Sequence, residues 1–235
     1  MQDLGAAFQQ AAQLVLGFDA ALAEIVLLSL QVSLTAVLLA ALIGMPLGAA
    51  LAVLRFPGRG ALSVFVTAMM GLPPVVVGLV VYLMLSASGP LGVLGLLYTP
   101  TAMIIAQTLL IVPIIAALTR QVIADLHEEY DEYLRSIGAG RGMVIGTLLW
   151  DARFSLSTAA LAGLGRAFAE VGAVMIVGGN INHVTRVMTT AIALETSRGE
   201  LALALGLGIV LIALSVMVTA ALAMVQRAAQ RLAYA

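Results

Sequence analysis

Five apolar stretches, each long enough to cross a lipid bilayer, constrain the fold of this chain more than any other feature. A spanning helix needs about 20 apolar residues, and a single segment in lipid satisfies its backbone only as a helix. Charged residues make up 10% of the 235 residues, against about 25% in soluble domains. We therefore expect an all-α polytopic membrane protein. The predicted spans cover about 23–54, 62–86, 101–123, 153–177 and 201–225.

The placement of Arg predicts the orientation of these spans. Every basic residue in the chain is Arg, and loops rich in basic residues face the cytoplasm. With five spans, only Arg186 and Arg198 fall on the outer side. We therefore expect a membrane domain at 23–228 with an external N-terminal segment at 1–22, a cytoplasmic loop at 124–152 and a cytoplasmic tail at 229–235. The cytoplasmic side then holds eight residues: Arg55, Arg59, Arg120, Arg135, Arg141, Arg153, Arg227 and Arg231.

The composition also excludes several classes of function. A formal net charge of −1 indicates no nucleic-acid partner. The chain has no Cys, and neither His127 nor His183 has metal-ligand spacing, so we expect no metal site. It has no intramembrane aspartate pair and no His-Glu-x-x-His motif, so we expect no catalytic site and no bound cofactor. Without a Lys it has no phosphate-binding Gly-x-x-x-x-Gly-Lys loop, so it cannot hydrolyse ATP itself.

The cytoplasmic loop combines an acidic segment with a glycine cluster. Asp125 to Glu132 suits the start of a helix, where the dipole favours negative charge. Gly138, Gly140 and Gly142 then interrupt the run before a short apolar stretch. This pattern predicts two short helices at an angle with an exposed glycine corner between them. The alternative is an ordinary solvated loop.

Residues in this loop resemble a known family. Glu132-Tyr133-Leu134, with Gly138 four residues after Leu134, resembles the "EAA" loop of ATP-binding-cassette importer permeases, although Tyr133 and Leu134 replace two alanines of that motif. In that family the loop forms a coupling helix that docks into a separate ATPase subunit. The resemblance implies a coupling role for Glu132, Gly138, Ala139 and Arg141.

Four further segments narrow the resemblance to oxyanion permeases. Gly71–Gly78 is similar to the second-span motif of molybdate, sulfate and tungstate permeases, and Ala169–Ala173 with Gly178–Ile181 resembles their segment after the coupling loop. Thr185–Thr196 is most similar to the tungstate branch. The resemblance implies a type I importer permease, most closely for tungstate. Molybdate or sulfate import is the alternative, and an ATP-independent channel or secondary transporter is a more distant one.

The resemblance also implies partners. In such importers the permease forms a homodimer in the cell inner membrane, with two ATPase subunits inside and an oxyanion-binding protein outside. ATP and Mg²⁺ are then used by the partner ATPase. Arg186 and Arg198, as external cations, either contact the external protein or are solvated.

Candidate pathway residues follow from breaks and charges within the spans. Pro73 and Pro74 interrupt span two, which is tolerated where the backbone faces protein or a wet cavity. Arg166 and Glu170 are the only charges well inside a span, and four-residue spacing on one helix predicts that they pair. A carboxylate repels an oxyanion, so Glu170 is expected to neutralise Arg166 or to hold a gate or subunit contact. A purely structural pair is the alternative.

Two glycine-containing segments have two interpretations each. Gly178, Gly179 and Asn180 end span four and predict either an outer gate or docking surface, or an ordinary helix stop. Gly44 and Gly48 flank Pro46 in span one and predict either close helix approach or a kink. Between Gly178 and Glu200, apolar residues at helical spacing predict a short external amphipathic helix.

Overall fold

A computed structural model describes Gln13, Gly17 and residues 20–233, and within these residues it is helical, with no strand. This confirms the predicted all-α class. Most of the expected external segment 1–22, and the last two residues of the expected tail, lie outside the described residues. The described α-helices are α1 (Ala20–Val53), α2 (Arg59–Met69), α3 (Pro74–Leu85), α4 (Pro100–Ser136), α5 (Arg141–Asp151), α6 (Arg153–Phe168), α7 (Gly172–Gly178), α8 (Met188–Arg198) and α9 (Leu201–Ala233).

The described helices provide three to five candidate membrane spans, against the five expected. By length and composition, three of them can cross a membrane, namely Ala20–Val53, Pro100–Ser136 and the Leu201–Ala221 part of α9. Two interrupted pairs, α2 with α3 and α6 with α7, each pass the same test together. Counting each pair as one broken span gives up to five spans among the described residues. Helix α8 lies where the short amphipathic helix is predicted.

The third span continues beyond its predicted end. Helix α4 has 37 residues and runs on to Ser136. Of the two short helices predicted in the loop 124–152, only α5 is therefore a separate helix. No Gly or Pro occurs between Pro113 and Gly138 to stop the helix. Near its end, Arg135 and Asp131 form an i,i+4 salt bridge of 2.8 Å that supports the helical conformation. The acidic run is therefore the last part of a long helix and not a helix start.

The chain divides into two compact units, which are described separately. Unit 1 takes the described part of 1–35 together with 73–107 and 167–221, and unit 2 takes 36–72, 108–166 and the described part of 222–235. In unit 1, α3 and α7 pack closely because their contacts use small residues. A Cβ added at Gly78 would lie 2.7 Å from the Cα of Ala173, and one added at Gly172 would lie 2.9 Å from Cγ2 of Val75.

The core of unit 2 joins the end of α4 to α5. Buried apolar side chains from α1, α4, α5 and α6, with the residue that joins α5 to α6, form one cluster, comprising Ala49, Ala52, Ile123, Leu134, Val144, Leu148, Ala152 and Leu156. The contacts among these buried side chains hold α5 against α1 and α4. The side chain of Arg59 supports the same region, because its Nε and Nη2 each donate a 2.7 Å hydrogen bond, to the carbonyls of Leu51 and Ala52 near the end of α1.

The glycines of α1 allow close approach to α4 within unit 2. A Cβ at Gly48 would lie 2.8 Å from Cβ of Thr119, and one at Gly44 would lie 3.0 Å from the carbonyl oxygen of Val112. Helix α1 continues as one helix through Pro46. Of the two interpretations of this segment, close helix approach therefore has a direct structural basis, and it is approach within one chain.

We predict that Gly48→Ala lowers the free energy of unfolding by about 1–3 kcal/mol, because an added methyl group overpacks the α1–α4 contact. The matched control is Gly146→Ala in α5, where an added Cβ has no neighbour within 4 Å. This control is expected to be neutral or stabilising by up to about 1 kcal/mol through helix propensity. Thermal unfolding of the detergent-solubilised protein checks both. Equal melting temperatures for the two variants would contradict the close approach.

Candidate functional site

The corner between α4 and α5 is closed by backbone hydrogen bonds. Gly138 adopts a left-handed conformation with φ of 66°. The N–H of Gly138 donates to the carbonyl of Arg135, and the N–H of Ala139 donates to the carbonyl of Leu134, both at 3.0 Å. This pair of bonds is the Schellman motif, which favours glycine at the left-handed position because a Cβ is strained there. The predicted glycine corner therefore exists and has a defined geometry.

Buried side chains anchor this corner. Leu134, before the turn, is buried in the unit 2 cluster, and Ala139, after the turn, packs against the same cluster. Val144 and Leu148 continue the contact along the inner face of α5. The direction of α5 is thus determined by packing as well as by the turn.

The opposite face of the corner is exposed and partly apolar. Glu132, Gly138 and Arg141 are exposed, and Ala139 is half-buried, so the four predicted coupling residues lie together at one corner. Three large apolar side chains beside them are also exposed, namely Tyr133 at 67%, Ile137 at 56% and Met143 at 63%. Grouped exposed apolar side chains with charges nearby are typical of a protein–protein contact. We call Glu132, Tyr133, Ile137–Ala139, Arg141 and Met143 the corner surface.

Pro73 and Pro74 begin α3, and do not kink a continuous helix. Pro73 is the residue before the helix, with φ of −63° and ψ of 124°, and Pro74 occupies the first helical position. Proline is favoured there because the missing N–H has no intrahelical acceptor. The carbonyl of Pro73 accepts hydrogen bonds from the N–H groups of Val76 and Val77. The predicted second span is therefore interrupted, and its second helix starts at a proline pair.

Glu170 lies in the break between α6 and α7. Its side chain is buried, and Oε1 accepts a 2.9 Å hydrogen bond from the N–H of Ala173 in the first turn of α7. A carboxylate is favoured at this position by the helix dipole. Since α6 ends at Phe168, Arg166 and Glu170 do not share a continuous helix, so the helical spacing argument for their pairing was wrong. An ion pair between them stays a prediction.

Two side chains from other helices support the same break. Gln107 of α4 donates through Nε2 to the carbonyl of Ala167 at 3.4 Å, and Thr189 of α8 donates through Oγ1 to the carbonyl of Glu170 at 2.8 Å. Helix ends leave carbonyls without the usual intrahelical partners. Thr189 satisfies the carbonyl of Glu170, and Gln107 adds a bond to the carbonyl of Ala167, which also accepts from the N–H of Glu170 at 3.3 Å. Neither Gln107 nor Thr189 was singled out from the sequence. The signal for Gln107 was an amide in the first half of an apolar stretch.

A small cavity with four polar and six apolar lining residues adjoins this break in unit 1. It offers ≈ 10 Å³ to the centre of a water molecule and is lined by Ser29, Ser33, Gln107, Thr189 and six further residues. The Oε1 atom of Gln107 is buried and accepts no hydrogen bond within the described residues. Ser29 joins α1 to α8, because its Oγ accepts a 2.8 Å bond from the N–H of Met188. The cavity has room for about one water molecule.

The segment Gly178-Gly179-Asn180 forms a tightly bonded turn. Gly179 and Asn180 have φ of 70° and 50°. The Oγ1 of Thr185 donates to the carbonyl of Gly178 at 2.5 Å. The Nδ2 of Asn180 donates to the backbone carbonyl of Thr190, and the Oγ1 of Thr190 donates to Oδ1 of Asn180. These bonds give the helix-stop interpretation a geometric basis, while a gate or docking role stays a prediction.

Tyr98 packs against this turn. A Cβ on Gly179 would lie 2.8 Å from Cδ1 of Tyr98, so the close approach of the tyrosine ring requires glycine. The N–H of Tyr98 donates to the carbonyl of Val177 at 3.0 Å. A side-chain hydrogen bond with Tyr82 raises the pKa of Tyr98 above its ordinary value.

We predict that Glu170→Ala lowers the melting temperature more than Glu170→Gln. The alanine removes the acceptor for the Ala173 N–H, a helix-capping loss of about 1 kcal/mol, whereas Gln keeps a side-chain oxygen at that position. Thermal unfolding of the two purified variants checks this order. Melting temperatures in the reverse order would contradict the capping role.

Comparison with known proteins gives a consistent set of relatives. The sequence model of the family described as "binding-protein-dependent transport system inner membrane component" matches residues 44–231. A tungstate uptake system permease protein of Peptoclostridium acidaminophilum is 40% identical over 85% of this chain and 88% of its own length. A probable anion ABC transporter permease of Haloferax volcanii is 39% identical over 77% and 80%. A tungstate uptake permease of Campylobacter jejuni is 39% identical over 60% and 59%.

Proposed function

Because this chain belongs to the family of binding-protein-dependent transport system inner membrane components, we propose that it is the membrane subunit of an ATP-driven oxyanion importer, with tungstate as its cargo. The observation that supports tungstate as the cargo is the 40% identity to a tungstate uptake permease over 85% of the chain. The alternative cargo is molybdate or sulfate, because permeases for those anions are also relatives of this chain. They are more distant, at 28–29% identity. An ATP-independent channel is disfavoured by the family.

In this proposal the chain works with three kinds of partner. A second copy completes the translocation path, because five spans make a poor wall for an ion while ten around a two-fold axis can surround one. A separate cytoplasmic ATPase binds ATP and Mg²⁺, and an external protein delivers the oxyanion. The chain crosses the inner membrane several times, with its N-terminus outside and its C-terminus in the cytoplasm.

The corner surface is the proposed contact with the ATPase. Its exposed apolar side chains and its charged residues Glu132 and Arg141 suit a protein partner. Movement of the ATPase would act on α5, which is packed into the unit 2 cluster. Helix α4 carries this movement away from the corner as one helix of 37 residues, about 55 Å long. The chain therefore couples ATP use to opening mechanically.

The two broken spans are the proposed moving parts of the path. The pair Pro73-Pro74 lies at the start of α3, and the carboxylate of Glu170 caps the first turn of α7. Both helices therefore begin inside membrane-length segments. We assign Arg166 and Gly178–Asn180 to the same path or its gate. Close α3–α7 packing through Gly78 and Gly172 makes these two short helices move together.

The experiment that tests this function is uptake into liposomes holding the chain, the ATPase and the external binding protein. Tungstate uptake that requires ATP and resists excess molybdate supports a tungstate importer. Equal competition by molybdate or sulfate makes the chain a general oxyanion permease. Uptake that persists without ATP or without the ATPase would overturn the coupling mechanism.

We predict that Gly138→Val abolishes most ATPase association while membrane insertion stays normal. A β-branched residue is strained at φ of 66°, so the Schellman corner opens and α5 loses its direction. The control is Gly140→Ala, because Gly140 has φ of −69° and an added Cβ there meets nothing within 4 Å. Co-purification of the ATPase with each variant checks this. Full association and transport with Gly138→Val would sink the coupling assignment.

A further inference from the structure

Two arginines of unit 1 share one buried carboxylate. Arg186 precedes α8, and Glu195 and Arg198 lie on α8. The Oε1 of Glu195 is 3.2 Å from Nη1 of Arg198 and 3.9 Å from Nη1 of Arg186. The Glu195 side chain is 6% exposed, that of Arg186 is 17% exposed and that of Arg198 is 55% exposed. With two guanidinium groups and one carboxylate, this triad keeps one uncompensated positive charge.

Arg186 is the unusual member of the triad. Its nearest carboxylate oxygen, at 3.9 Å, is beyond hydrogen-bonding distance. Within the part of the chain that the structure describes, its Nε is buried and donates no hydrogen bond. A largely covered guanidinium with an unused Nε–H donor is costly unless an acceptor reaches it. The acceptor that fits best carries several oxygens and negative charge, since a guanidinium forms paired bonds to such groups.

The backbone holds Arg186 in position. Its N–H donates to the carbonyl of Ile181 at 3.1 Å, inside the turn that Thr185 bonds to Gly178. Arg186 therefore ends the hydrogen-bonded segment that follows the Gly178–Asn180 turn, which the proposed function assigns to the path or its gate.

We propose that Arg186, assisted by Arg198, is the site on the outer side that receives the tetrahedral oxyanion dianion, and that Glu195 keeps this binding weak. The proposal rests on the proposed function and adds a binding site to it. The dianion is attracted by the uncompensated charge and offers oxygens to the donors of Arg186. The nearby carboxylate repels the anion, so the site releases it into the path.

Two other roles for the triad make different predictions. In a structural role, Arg186 and Glu195 only join α8 to the turn, so removing both groups would do less harm than removing one. In a docking role, Arg186 or Arg198 pairs with an acidic residue of the external binding protein, so its loss would lower the stimulation of ATPase activity by that protein. Anion reception requires neither result.

The test uses the complete complex in liposomes and four variants: Arg186→Gln, Glu195→Gln, the double variant of these two, and Glu200→Gln as a matched control. Glu200 lies in the same outer segment and outside the triad. We expect Arg186→Gln to lower tungstate uptake about tenfold, the effect of losing one charge-assisted hydrogen bond, with ATPase stimulation by the binding protein unchanged. The double variant stays as low as Arg186→Gln, and Glu200→Gln transports normally.

A direct binding measurement accompanies the uptake assay. Sodium tungstate is added to the permease–ATPase complex without the binding protein, and the shift in melting temperature is recorded. We expect a larger shift for Glu195→Gln than for the unsubstituted chain, because the repelling carboxylate is gone, and no shift for Arg186→Gln. A Glu195→Gln shift equal to or smaller than that of the unsubstituted chain would overturn the role of Glu195.

The remaining outcomes of the uptake assay would overturn anion reception. Unchanged uptake by Arg186→Gln, or recovery in the double variant, overturns anion reception and leaves a structural triad. If Arg186→Gln loses both tungstate uptake and the stimulation of ATPase activity by the binding protein, the result overturns anion reception in favour of docking. These failures are distinct from failure of the proposed function, which would show as a lack of tungstate uptake by the unsubstituted complex and would remove this proposal too.

Discussion

The lipid interior offers no hydrogen-bond partner to a peptide group, and this constraint governs every interruption of the membrane helices. Where a helix stops inside an apolar segment, the protein itself must satisfy the freed groups. At the break after α6, Gln107 and Thr189 donate to the carbonyls of Ala167 and Glu170, and the carboxylate of Glu170 accepts the N–H of Ala173. At the start of α3, Pro74 removes a donor instead. The two breaks meet one constraint by different means, and both leave a helix starting within a spanning segment.

The kind of hydrogen bond used at each break matches the mechanical role proposed for it. The α4–α5 corner is closed by backbone bonds to Leu134 and Arg135 and is anchored by buried Leu134, so it transmits a push with little deformation. The α6–α7 break is bonded mainly by side chains. A side chain can exchange one acceptor for another by changing rotamer, while the helix on either side stays intact. Rigid coupling at the corner and adjustable bonding at the break are what a driven gate requires.

Local rules predicted much of this structure, and contacts between distant residues account for what they missed. The apolar stretches and the corner at Gly138 depend on composition and on one residue that tolerates positive φ, and both are visible in the sequence. The continuation of α4 to Ser136 was also foreseeable, since nothing before Gly138 stops the helix. The break beside Glu170 was not, because its bond from Gln107 joins residues 60 positions apart. The approach of Arg186 to Glu195 likewise depends on a turn whose shape no single motif specifies, whereas Glu195 and Arg198 are three residues apart on α8.

An importer needs a site that attracts its cargo without retaining it, and charge arithmetic at the triad satisfies this requirement. At a distance, two guanidinium groups and one carboxylate act as a single positive charge and draw an oxyanion inward. At close range, the anion meets the carboxylate of Glu195 as well as the guanidinium of Arg186. Because Glu195 is buried, salt screens its repulsion less than it screens the attraction of exposed Arg198. This repulsion offsets part of the attraction of Arg186, which favours onward release and leaves tight binding to the external protein.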